Sequence, residues 1–190
     1  MKETHHTDKV FDKIDYANKA VRGSEFEACT FTNCDFSGSN FSGNDFIDCR
    51  FEGCNLSMMQ LAQTGLKSLA FYNCKLLGLD FSTCNEFLFA VYFEHCILDY
   101  ASFFRQKLKK TTFEDCSIKE VNFTQADLTG SAFVNCDLSQ TSFQQAILER
   151  VDFRSASHFS IDPETTRIKK AKFSLTGLAG LLDKYDIIVE

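Results

Sequence analysis

A large apolar residue recurs at every fifth position of this chain. The series runs Phe26, Phe31, Phe36, Phe41, Phe46, Phe51, Leu56, Leu61, Leu66, Phe71, Leu76 and Phe81. It slips by two residues near Asn85–Phe87 and resumes at Leu88, Phe93, Leu98, Phe103, Leu108, Phe113, Ile118, Phe123, Leu128, Phe133, Leu138, Phe143, Leu148 and Phe153. Neither a helix nor a flat strand brings every fifth residue to one side. A chain that turns a corner every five residues does, and four such sides close a coil of about twenty residues. A short period sustained over this length predicts a solenoid. The position two before each centre is small, as in Cys29, Cys34, Ser39, Cys49, Cys54, Ala101, Thr111 and Ser131, and the residue between is often Asp, Asn or Thr.

Units such as Cys34-Asp35-Phe36-Ser37-Gly38 and Ala126-Asp127-Leu128-Thr129-Gly130 resemble the pentapeptide-repeat family, over residues 24–155 at least. The resemblance implies an all-β fold, a right-handed quadrilateral parallel β-helix. With a twenty-residue coil, Phe93, Phe113, Phe133 and Phe153 stack on one side and Phe103, Phe123 and Phe143 on the opposite side, leaving Leu or Ile on the other two. Residues 1–23 are expected to form an N-terminal cap or irregular first coil, and 24–158 the β-helix with its two-residue slip near 85–87. Residues 159–190 are expected to form a last partial coil and a C-terminal cap. Ser174 and the leucines after it suggest a short helix, and 186–190 a terminal strand. The family's end-to-end pairing implies a homodimer here through Leu175, Leu178, Leu181, Leu182, Tyr185, Ile187 and Ile188.

Nine cysteines are an odd number, the N-terminus is polar, and neither CxxC nor HExxH occurs. A disulfide scaffold or a metal site is therefore not expected. Cys34, Cys54, Cys74, Cys96, Cys116 and Cys136 fall into one ladder if the slip is a two-residue insertion. They read as buried free thiols, with Cys84, beside the slip, the only one expected to be reactive.

No apolar run approaches the ~18–20 residues of a membrane span, so a cytoplasmic protein is expected. A net charge of −6 disfavours direct nucleic-acid binding. His5, His6, His95 and His158 form no triad or metal spacing, and no cofactor loop occurs, so a non-enzyme is expected. Candidate partner contacts are an acidic side (Glu52, Glu94, Glu114, Asp115, Asp137) and an aromatic bulge (Phe87, Phe89, Tyr92). A basic stripe includes Lys67, Arg105, Lys107, Lys109 and Lys110. Resemblance to the quinolone-resistance (Qnr and MfpA-like) members implies a DNA-shaped mimic that binds DNA gyrase or topoisomerase IV and protects against quinolones. The alternative is an interaction scaffold with an unrelated partner. Residues 24–158 hold 17 acids and 10 bases. Duplex DNA of that length, roughly 34 Å, carries about 20 charges, so shape mimicry is better supported than charge mimicry.

Overall fold

The computed structural model describes residues 4–187. Among them are β1 (Thr4–Thr7), β2 (Val10–Asp12), β3 (Ser24–Glu27), β4 (Thr30–Thr32), β5 (Asp45–Ile47), β6 (Arg50–Glu52), β7 (Gly65–Lys67), β8 (Leu69–Tyr72), β9 (Val91–Glu94), β10 (Thr112–Glu114) and β11 (Ala132–Val134). They form two parallel sheets, one in the order β1-β3-β5-β7 and one in the order β2-β4-β6-β8-β9-β10-β11. Partners are twenty residues apart, as in Phe31↔Phe51, until β8 and β9, where Phe71 faces Phe93. The other two sides carry single parallel bridges in the same register, such as Asp35↔Asn55 and Ser102↔Asn122. The chain is a four-sided parallel β-solenoid.

Most corners are made the same way. The residue two beyond the centre takes a left-handed backbone, as at Asn33 (φ 53°), Asn73 (φ 53°) and Asp115 (φ 51°). That conformation costs a non-glycine residue roughly 1 kcal/mol. The turn lets the corner N–H donate one coil onward, as Asn33 N does to Glu52 O at 2.8 Å and Asn73 N to Glu94 O at 3.0 Å. A net ~1 kcal/mol per such bond offsets the cost.

The axis is filled by stacked side chains. Phe11, Phe31, Phe51, Phe71, Phe93, Phe113, Phe133, Phe153 and Phe173 form one column, with successive ring centres 4.7–5.3 Å apart. Phe81, Phe103, Phe123 and Phe143 form a second column that meets the first edge to face, as Phe93 meets Phe103 at 6.1 Å. The remaining rows in that half are Leu and Ile, slim enough to fit between the two ring columns.

Three expectations change. Residues 4–23 are a regular coil, not an irregular one, since β1 pairs β3 and β2 pairs β4 in full register. The sequence hides this because His6 occupies an inward place, where its ring stacks on Phe26 at 4.8 Å. At the slip, Leu88 does not point inward. It is 63% exposed and sits at a left-handed corner (φ 56°). Phe89 turns toward the axis instead and meets Phe81 edge to face at 6.3 Å. The two extra residues are taken up where Asn85 Oδ1 accepts the Phe87 N–H, and Ala90 N then returns the chain to Leu66 O.

The C-terminal segment is the third change. It is not an α-helix but two 3-10 turns, Thr176–Leu181 and Asp183–Tyr185, with a left-handed residue at Asp186, and most of the expected strand, 188–190, lies outside the described residues. Ser174 still caps the start, accepting from Gly177 N at 3.1 Å. The segment lies so close to Phe159 that a Cβ on Gly180 would fall 2.2 Å from Phe159 O and one on Gly177 2.9 Å from the ring. Ile188 lies outside the described residues.

Candidate partner-binding surface

Most outward polar residues have structural duties. Asp35, Asp127 and Asp137 each accept the N–H two residues on, at 2.9, 3.1 and 3.1 Å, closing their corners. This is why Asp and Asn recur before the centres, a local side-chain turn.

The acidic column exists as a column, since Glu52, Tyr72, Glu94 and Glu114 follow one another in register on the seven-stranded face. Its charge is uneven. Glu52 binds Arg50 at 3.1 Å. Asp137 lies on the neighbouring side and binds Lys119 at 3.1 Å and His158 at 3.0 Å. Burial pushes the Asp137 carboxyl up, but hydrogen bonds from Ser139, Lys119 and His158 win and hold it far below the ordinary carboxylate range. Asp115 has His95 at 3.8 Å and Asn135 at 3.1 Å. Among the described residues, Glu94 and Glu114 have no lysine or arginine partner. Both accept from the Tyr92 hydroxyl, at 2.8 and 3.0 Å. Burial, and then these two carboxylates, raise the Tyr92 pKa, so the phenol stays a donor.

Sequence reasoning placed Tyr92 in the bulge, and missed that, from the row of Arg50 and Ala70, its hydroxyl reaches the acidic column and its ring stands beside Tyr72, ring centres 5.7 Å apart. The available signal was that Tyr72 and Tyr92 interrupt outward strand positions. The bulge itself presents Phe87 and Leu88, both well exposed, while Phe89 is half-buried and not a free contact. The basic stripe is largely neutralised. Lys67 pairs with Asp45 at 3.0 Å, Lys107 with Glu86 at 3.0 Å and Lys109 with Asp127 at 3.1 Å. Arg105 lies over Phe104 and donates to Gln125.

All nine cysteines are buried and free. Cys84 is not set apart, since burial raises its pKa as well. Among the described residues no group of three or more His, Cys, Asp or Glu is placed to hold a metal, and no helix is long and apolar enough to cross a membrane. At the C-terminal end Leu175, Leu178, Leu182, Tyr185 and Ile187 are exposed, whereas Leu181 packs against the core. Lys184 bridges Asp162 and Glu164 at 2.7 and 2.8 Å, and Tyr185 donates to Glu164 at 2.9 Å, fastening the segment to the last coil.

A four-sided parallel solenoid of five-residue units, with its corners closed by Asx turns and one flat aromatic and acidic face, defines a repeat protein with a surface on its flank. The family model for the pentapeptide repeat region matches residues 24–103, 86–158 and 106–181, and the chain belongs to that family. Among solved structures it is similar to QnrB1, a plasmid-mediated fluoroquinolone resistance protein. A trypsin-treated QnrB1 variant aligns at TM-score 0.62 and 19% identity, covering 100% of both chains. Full-length QnrB1 aligns at TM-score 0.53 and 20% identity, covering 96% of this chain and 100% of that one. No curated protein matches the chain in sequence.

Proposed function

We propose that this protein is a non-enzymatic binding solenoid of the cytoplasm that occupies the DNA groove of a type II topoisomerase, gyrase or topoisomerase IV, and so protects it from quinolones. The observation that carries this reading is the seven-stranded face, where Glu94 and Glu114 lack lysine or arginine partners among the described residues. The fold it shares with QnrB1 along its whole length supports it. The exposed bulge at Phe87 and Leu88 makes a second contact. A homodimer through the exposed leucines of 175–187 doubles the length of the rod, as the apolar end face favours. Because Glu52 and Asp137 are internally paired, shape rather than charge supplies most of the complementarity. That same thin charge favours the second reading, a scaffold with an unrelated protein partner using the same face. The experiment is a gyrase supercoiling assay with added protein, with and without a fluoroquinolone. Inhibition or protection at micromolar protein is expected; neither effect leaves the scaffold reading.

A further inference from the structure

The seven-stranded face already holds one guanidinium. Arg50 Cζ lies 3.6 Å from the centre of the Tyr72 ring, while its Nε and Nη2 donate to Glu52 at 3.2 and 3.1 Å. Ring and carboxylate belong to one outward column, Glu52 facing Tyr72 in register. One coil further the Tyr72 ring again has a carboxylate next to it in the column, on its other side, but no cation. Ala70 stands in register with Arg50, and Tyr72 is followed in the column by Glu94. The position that carries a guanidinium in one coil carries only a methyl in the next.

The space left over Ala70 is an open groove of about 410 Å³, lined by Ser68, Leu69, Ala70, Tyr72, Ala90 and Tyr92 among others. The Tyr72 and Tyr92 rings border it, inclined at 52° to each other. The Tyr92 hydroxyl bonds Glu94 and Glu114, so two carboxylates one coil apart share one proton donor. Placed side by side they repel each other, and a cation is the charge that relieves them.

We infer that this groove receives an arginine side chain from a protein partner, with its guanidinium against the Tyr72 and Tyr92 rings that line it and with Glu94 and Glu114, held at the Tyr92 hydroxyl just beyond the lining, supplying the complementary charge. A guanidinium is planar, weakly hydrated and stacks on aromatic rings, whereas an ammonium is compact and strongly hydrated. The groove therefore selects arginine over lysine. This holds for a topoisomerase or for any other partner with an exposed arginine.

The test titrates the full chain with tetra-arginine and tetra-lysine peptides at low salt, following backbone amide shifts. The arginine peptide is expected to move Ala70, Tyr72, Ala90 and Tyr92, and to bind about three- to fivefold tighter than the lysine peptide. Ala70→Arg fills the groove from within and should abolish that preference. Glu94→Gln with Glu114→Gln should weaken arginine-peptide binding without altering the thermal melt, which covers the case in which Ala70→Arg does not fold. Equal affinity for the two peptides, shifts confined to other faces, or unchanged arginine binding by the folded Ala70→Arg variant would overturn the inference. Arginine-peptide binding without gyrase inhibition would support it and remove only the topoisomerase reading.

Discussion

At a corner of the solenoid three neighbouring residues do separate jobs. Around Leu56, Asn55 Oδ1 accepts the Ser57 N–H, and Cys54 tucks inward with its Sγ on the carbonyls of Phe31 and Glu52. Met58 (φ 58°) turns the chain. The small inward slot was legible in the sequence, and the left-handed corner was not, because residues as different as Met58, Lys110 and Arg150 adopt it. What they share is backbone hydrogen bonding to the next coil, which leaves no mark on side-chain type. The thiols give a direct consequence. Burial pushes Cys49 up to about 12, and hydrogen bonding with Cys54 together with burial does the same for Cys74. Such thiols should be inert to a thiol reagent in native protein at pH 8 and react only on denaturation; fast labelling of several would contradict this. Raised thiol pKa values also set the sign of the pH dependence. Below the unfolded value near ~8.5 the thiols are neutral in both states and contribute no slope. Above it the unfolded chain ionises first, so stability falls by up to about 1.4 kcal/mol per pH unit per thiol, until the folded pKa is reached. The melting temperature should be flat to about pH 8 and fall above about pH 9; a flat profile through that range would show that the ladder is hydrated.

Along each side the element is a column of like side chains, and its stability is local. Phe113 stacks between Phe93 and Phe133 at 5.3 and 4.9 Å and is fully buried. Phe113→Ala should cost about 3–5 kcal/mol, measured by denaturant unfolding. A loss under about 1 kcal/mol would mean that the column relaxes to fill the gap. Counting by fives found every buried centre from Phe93 to Phe153 and missed the inward residue at the insertion and Phe159 beyond the series. At the insertion the count favoured Leu88, but the chain must rejoin β8 at Leu69, and reaching Ala90 puts Phe89 inward. Deleting Asn85 and Glu86 restores a twenty-residue coil and buries Leu88, a gain of about 2 kcal/mol. The shortened protein should melt no lower than the parent; a clear fall would show that the bulge is structural.

For the whole molecule, the C-terminal end, the bulge and one flank are the surfaces proposed for a partner. The C-terminal segment closes the last coil through Gly177 and Gly180 against Phe159, and its outward leucines are the apolar end face. The leucine spacing suggested an α-helix, but two glycines pressed against a ring fit the tighter 3-10 turns, a tertiary constraint that periodicity does not carry. Gly180→Ala should dislodge this segment and convert a dimer into monomer, read by sedimentation at micromolar protein; an unchanged dimer would put the interface elsewhere. Of the acidic side, the sequence correctly placed Glu52, Glu94 and Glu114 in one column, but it could not show that Arg50 neutralises the first and that Tyr92 joins the other two. The flank's role is tested most directly by equilibrium binding of purified gyrase to the intact protein at low and high salt, beside a variant carrying Glu52→Lys, Glu94→Lys and Glu114→Lys. Binding should weaken as salt rises and be lost or cut at least about tenfold by the triple reversal, single rim charges being worth only ~0–1 kcal/mol each. Absence of binding at low salt, or equal binding by parent and variant, would contradict the acidic flank as the topoisomerase contact.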